Sequence, residues 1–148
     1  MSNPKNERPA VRVMIVEDER LVAQDLAGGL EDIGYAVIAN VGSGEEAIIC
    51  ARDLLPDIVL MDVHLAGALD GVQAALAINQ ELQSPVIFLT AHADMQTLQD
   101  ACLAAPFAYL IKPYNINQIH CSIEATLYKH RVDAGMREQL ILSGLDRP

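Results

Sequence analysis

The chemistry-bearing residues of this chain gather at the ends of short apolar runs. Asp62 ends the run that begins Asp57-Ile58-Val59-Leu60-Met61. Glu17 and Asp18 follow Val11-Arg12-Val13-Met14-Ile15-Val16, and Thr90 ends a run that begins Pro85-Val86-Ile87. Lys112-Pro113 follows Ala108-Tyr109-Leu110-Ile111. Runs of this length between turn signals read as buried strands. Open α/β sheets bind ligands outside the carboxyl ends of their strands. Three carboxylates brought close together repel, so a proton or a cation must share them. Mg²⁺ takes oxygen ligands and keeps several waters, which suits such a set plus a phosphoryl oxygen. A carboxylate is also a nucleophile able to form an aspartyl phosphate. Phosphoryl transfer needs positioning and charge neutralisation more than covalent help. Lys112 offers a second positive centre, and the Thr90 hydroxyl a hydrogen bond to a phosphoryl oxygen.

These residues meet only if the intervening segments position them. After the first strand, Leu21, Leu26, Leu30 and Ile33 recur near helical spacing, and Gly34 closes that helix. Tyr35 to Val41 reads as a second strand. Ser43 suits the N-cap of a helix through Leu54, with Glu45 and Glu46 in its favourable first turn. Pro56 marks the stop before the Asp62 strand. A loop at Ala66-Gly67-Ala68 leads to a helix over roughly Gly71 to Leu82. Pro85 opens the fourth strand, and Asp94 is a candidate cap for a helix over Met95 to Ala104. The fifth strand spans Phe107 to Ile111. The last helix starts near Asn115 to Gln118 and runs long, with Ile116, Ile119, Ile123 and Leu127 on one face. Strands alternating with helices give βαβ units and a parallel sheet. Right-handed crossovers put helices on both faces. Five such units suit a doubly wound α/β, flavodoxin-like sheet in the order 2-1-3-4-5, which makes strands one and three neighbours. Glu17, Asp18 and Asp62 then converge at the switch point.

Composition bounds the rest. The chain of 148 residues suits one domain, and 51% hydrophobic residues allow a substantial core. A formal net charge of -10 argues against direct nucleic-acid binding, which needs clustered Lys and Arg. Cys50, Cys102 and Cys121 lack CxxC spacing and follow no signal peptide, so a reduced cytoplasmic compartment and burial as small apolar residues are expected. No apolar run reaches the roughly 18 residues of a membrane span, and no membrane association is expected. Residues 1–10 read as a flexible leader, 11–130 as the domain, and 131–148 as a helical linker or tail.

Val16-Glu17-Asp18-Glu19, Leu60-Met61-Asp62, Leu89-Thr90-Ala91 and Tyr109-Leu110-Ile111-Lys112-Pro113 together resemble the signature of response-regulator receiver domains, over about residues 11 to 130. The resemblance implies a two-component signalling switch with self-phosphorylation and autodephosphorylation chemistry. Asp62 would accept a phosphoryl group from a phosphohistidine of a histidine kinase or phosphotransfer protein. Glu17, Asp18, Asp62 and the backbone carbonyl of His64 would hold Mg²⁺. Thr90 and Tyr109 would be the switch pair, Lys112 would bind the phosphoryl group, and its bond to Pro113 would be cis. His64 and His92 would flank the phosphoryl site and tune dephosphorylation.

The first acid is Glu17 where Asp is commonest in the family. Ala66 stands where many members have Pro, the loop to Asp70-Gly71 is one residue longer, and Ala105-Pro106-Phe107 replaces the usual Gly-Ala stretch. These features resemble receivers placed before sensory or kinase modules. They imply a downstream module and a homodimer, through the face of the fourth helix, fifth strand and last helix or through the extended last helix. Leu140-Ile141-Leu142 after a polar stretch fits such a linker.

Other functions fit less well. A Mg²⁺-dependent phosphohydrolase with an Asp nucleophile would want a second Asp two residues on, where His64 stands. Gly42-Ser43-Gly44 lacks the remainder of a dinucleotide-binding fingerprint. A receiver that only binds partners would not need intact Asp62, Thr90 and Lys112. No His-x₃-His pairing supports a transition-metal site at His64 and His92.

Overall fold

The computed structural model describes residues 9–65, 67–102 and 108–143. Strands β1 (Arg12–Val16), β2 (Ala36–Val41), β3 (Ile58–Asp62), β4 (Val86–Thr90) and β5 (Ala108–Ile111) alternate with helices α1 (Arg20–Asp32), α2 (Gly44–Leu54), α3 (Gly71–Leu82), α4 (Met95–Cys102) and α5 (Ile116–Ser143). The strands form one sheet in the order β2-β1-β3-β4-β5, every pair parallel. This is the flavodoxin-like order expected from the alternation of runs.

The two-residue period of a strand divides the core in two. On one face Met14, Val16, Val59, Met61, Val86 and Phe88 pack against Ala47 and Ala51 of α2, Ala74, Ala75 and Ile78 of α3, and Leu98 of α4. On the other, Val13, Ile15, Ile58, Leu60, Ile87 and Leu89 pack against Ala23, Leu26 and Leu30 of α1 and Ile119 and Ile123 of α5. β3 and β4 are buried along their whole length, as central parallel strands covered by helices must be.

Several local expectations need correcting. Leu21 and Ile33 do not belong to the buried face of α1: Leu21 is 81% exposed and Ile33 43%. Leu21 precedes Leu26 by five residues, which turns it about 140° around the helix. Ala23, Leu26 and Leu30 form the inward stripe instead. Tyr35 lies just before β2, and its buried ring joins the α1 face of the core. Gly34 takes a left-handed φ of 101° in the turn between α1 and β2. Ser43 caps α2 as expected, its hydroxyl accepting from the Glu46 amide. α3 carries a full capping box that the sequence reading missed, between Asp70 and Gln73. Asp94 closes a 3₁₀ turn, His92–Asp94, directly ahead of α4, and its Oδ1 bonds His64. Cys50 is half-buried against the core, but Cys121 is exposed on α5, so the core reading fails there. The side chain of Cys102, and the stretch Ala105-Pro106-Phe107, lie outside what is described, as do Ala66 and residues 1–8 of the leader.

α5 is 28 residues long. Ile119 and Ile123 are buried on the sheet, with Ile116 and Leu127 packed beside them. Beyond Leu127 the helix continues with Tyr128, Val132 and Met136 exposed. No helix among the described residues is long and apolar enough to cross a membrane.

Candidate functional site

The strand order puts the ends of β1 and β3 side by side, with Val16 paired to Met61. Just past that pair, carboxylate oxygens of Glu17, Asp18 and Asp62 all lie within 4.8 Å of one another. Asp62 and Glu17 are buried and Asp18 is exposed, so the cluster faces water on one side. β4 places Thr90 one strand further on, and the Asp62–Leu89 and Thr90–Ile111 pairings carry the order across to Lys112. The Lys112 amide donates to the Thr90 carbonyl at 2.8 Å, and its ammonium Nζ lies 3.2 Å from Asp62 Oδ2. The structure therefore brings together Glu17, Asp18, Asp62, Thr90 and Lys112 at one edge of the sheet, where the sequence placed them.

Each anchor has a local cause. The Glu17 amide donates to the Val41 carbonyl at 2.9 Å, tying the acid's backbone to the β2 end. Its carboxylate accepts from the Glu19 amide at 3.2 Å. Asp62 Oδ1 accepts from the His64 amide at 3.1 Å. Gly71 at the start of α3 lies against the Asp62 backbone, where any Cβ would collide with the Asp62 carbonyl oxygen. Its amide donates to the Val63 carbonyl, so the closeness is built into the chain path. The loop between β3 and α3 is held from the other side: Glu45 Oε1 accepts from the Leu69 amide at 2.9 Å. Glu45's own backbone amide and that of Leu69 hold its carboxyl below the usual carboxylate range.

The electrostatics are those of crowded acids. Burial, then a hydrogen bond and the negative charge of Asp62, push the Glu17 carboxyl up to about 8. Crowding with Asp62 thus favours the protonated form of Glu17, and a further cation entering the cluster would work against it. Burial works to lower the Lys112 ammonium, but the charge and hydrogen bond of Asp62, with Glu17 behind it, outweigh burial and raise it. Lys112 thus stays charged beside the acids. Burial also raises the neighbouring Tyr114 phenol. The donor set is all oxygen, clustered and short of positive charge, which fits a hard divalent cation such as Mg²⁺.

Thr90 is fully buried, and its hydroxyl donates to the Ala91 carbonyl at 3.1 Å rather than to Asp62. Tyr109 is 45% exposed, its ring outward. The Lys112–Pro113 bond is cis, as the resemblance implied. His64 Nε2 bonds Asp94 Oδ1 at 2.5 Å, a partner the sequence reading did not find. His92 is exposed on the same turn. His120 does not stand near the acids. Its Nδ1 meets the Tyr35 hydroxyl at 2.7 Å, and that hydroxyl donates to Glu124 at 2.8 Å. A cleft of about 380 Å³ opens beside the acids, lined by Glu17, Asp18, Arg20, Gln24 and Asn40 among others.

A doubly wound sheet with a carboxylate trio, a hydroxyl and a lysine on its carboxyl edge is the layout of receiver domains. The chain belongs to the response regulator receiver domain family, whose sequence model matches residues 13–124. It is 35% identical over 134 residues to the transcriptional regulatory protein PdtaR of Mycobacterium tuberculosis, covering 88% of this chain and 65% of PdtaR. The regulatory protein AtoC of Escherichia coli is 31% identical over 118 residues, 78% of this chain and 25% of AtoC. The chain thus spans less than two thirds of the length of these curated relatives. Among solved structures, the signal receiver domain of a modulated diguanylate cyclase from Desulfovibrio desulfuricans is 43% identical, with a TM-score of 0.79 over 84% of this chain and 99% of that one. The N-terminal domain of a response regulator/sensory box/GGDEF three-domain protein from Carboxydothermus hydrogenoformans is 31% identical, with a TM-score of 0.75 over 83% of this chain and 98% of that one.

Proposed function

We propose that this domain is a phosphorylation-dependent signalling switch in which Asp62 accepts a phosphoryl group from a phosphohistidine on a histidine kinase or phosphotransfer protein. The observation that carries the reading is the pairing of three converging carboxylates with the Lys112 ammonium 3.2 Å from Asp62. Glu17, Asp18, Asp62 and the His64 carbonyl would hold Mg²⁺, which when bound supplies positive charge to the transferring phosphoryl oxygens. An Asp62 carboxylate oxygen attacks phosphorus, the phosphorus–nitrogen bond of the donor breaks, and the histidine leaves. Lys112 balances the charge gained by the aspartyl phosphate. The Thr90 hydroxyl leaves the Ala91 carbonyl for a phosphoryl oxygen, and the exposed Tyr109 ring turns inward into the space vacated. Phosphorylation acts by biasing two existing states.

Output would pass through α4, β5 and α5, with Tyr109 on β5 and Thr90 paired to that strand through Ile111, to a second copy of the domain or to a sensory or kinase module joined after α5. The similarity to a receiver that precedes a sensory box supports that placement. On this reading residues 11–130 are the switch and the helix beyond is a linker. The domain would work in the cytoplasm, where histidine kinases present their phosphohistidines.

The test is a small-molecule phosphodonor with Mg²⁺. One acid-stable, base-labile phosphoryl group is expected, at Asp62. Full labelling of the Asp62→Asn variant would overturn the assignment.

A further inference from the structure

Two loops meet beside Asp62 through one side-chain bond. His64, two residues past Asp62, donates or shares a proton from Nε2 to Asp94 Oδ1 at 2.5 Å. Asp94 closes the 3₁₀ turn that follows Thr90, and its amide is fixed to the Ala91 carbonyl at 3.0 Å. At its other end His64 donates its backbone amide to Asp62 Oδ1 at 3.1 Å. A continuous chain of bonds thus runs from the Asp62 carboxylate through His64 to the turn beyond Thr90.

The Thr90 hydroxyl must give up the Ala91 carbonyl to reach a group on Asp62, and that carbonyl belongs to the segment after Thr90. The His64–Asp94 bond resists movement of that segment, because it pins its far end to the loop after Asp62. We infer that His64 and Asp94 form a latch that holds the segment from Ala91 to Asp94 in its resting position and sets how readily Thr90 engages a phosphoryl group on Asp62. The role of the bond in rate rests on reading Asp62 as the phosphoacceptor, whereas its hold on the turn does not. His64 and Asp94 are positioning residues here. Both are partly or largely exposed, with side-chain exposures of 75% and 17%, so removing either leaves the core intact.

The experiment is a double-mutant cycle on the full chain with His64→Leu, Asp94→Ala and both together, and with His64→Gln as a variant that keeps an N–H near the Nε2 position. Amide exchange across residues 91–95 is measured without any phosphodonor, and phosphorylation by acetyl phosphate with saturating Mg²⁺. Each single variant is expected to exchange faster at these amides and to take up phosphoryl about two- to tenfold faster, the range of one net hydrogen bond. The double variant should match the singles, and His64→Gln should stay near the parent. Unchanged exchange in the singles, effects that multiply in the double variant, or a Gln variant behaving like Leu would overturn the latch. If the parent takes no phosphoryl group on Asp62, the functional reading fails by itself, and the exchange cycle still decides the latch.

Discussion

At the scale of the residue, Glu17 concentrates the tension of the site. Its carboxyl is buried beside Asp62 and titrates well above an ordinary glutamate. The folded state therefore keeps a proton that the unfolded chain has already released. The resulting stability is fully present below the unfolded value of 4.5 and is lost as pH rises through the folded value of about 8. Denaturant unfolding in EDTA should show the metal-free domain weakening steadily across that window, and Glu17→Gln should remove the slope. A parent that grows more stable over the same range would contradict the shared proton. Mg²⁺ should stabilise the parent more at pH 8 than at pH 5, because at the lower pH it must displace the proton. Lys112→Ala is expected to slow phosphorylation on the order of 10²-fold, as loss of one preorganised charge donor does. The Thr90 segment should then show unchanged amide exchange after labelling, since its link to Lys112 carries the charge change onward.

At the scale of the element, the helices are set by their ends. α3 begins at a capping box and at a glycine that no other residue replaces. Asp70→Ala should cost about 1 kcal/mol in unfolding experiments and leave phosphorylation of Asp62 near normal. Gly71→Ala should cost more, toward or beyond the upper end of the roughly 1–3 kcal/mol of overpacking, and should also lower the phosphorylation rate. The reason is that the added methyl displaces the Asp62 backbone itself. Equal effects of the two substitutions on rate would show that the glycine serves only the helix. These ends also mark what a sequence discloses. The Ser43 cap was legible because its side chain acts three residues away. The bond between Asp94 and His64 was not legible, because the two residues lie 30 positions apart. Leu21 was misplaced because its spacing was close to helical without matching the stripe of Ala23, Leu26 and Leu30.

At the scale of the molecule, the alternation of apolar runs with helical segments disclosed the fold, since that alternation favours a parallel sheet covered by helices on both faces. The convergence of Glu17, Asp18, Asp62, Thr90 and Lys112 followed from that order. What stayed hidden were contacts across loops, such as Glu45 with Leu69 and Tyr35 with His120 and Glu124, which no period encodes. α5 leaves the core after Leu127, so truncation at Arg131 should lower the melting temperature of the dilute monomer by less than about 4 °C. A larger loss would place the tail in the domain's own core. The path of α5 has one more consequence. It starts near Lys112 and Tyr114, and near Leu127, His130 and Arg131 it borders a groove shared with Pro9–Arg12, Leu55 and Pro85 at the opposite ends of the strands. On the proposed reading, the phosphoryl donor would meet one pole of the strands and a module joined after α5 would lie toward the other. A fluorescent protein or an affinity tag fused beyond α5 should leave the charged pole open, so labelling of Asp62 is expected to proceed equally whichever domain is attached there.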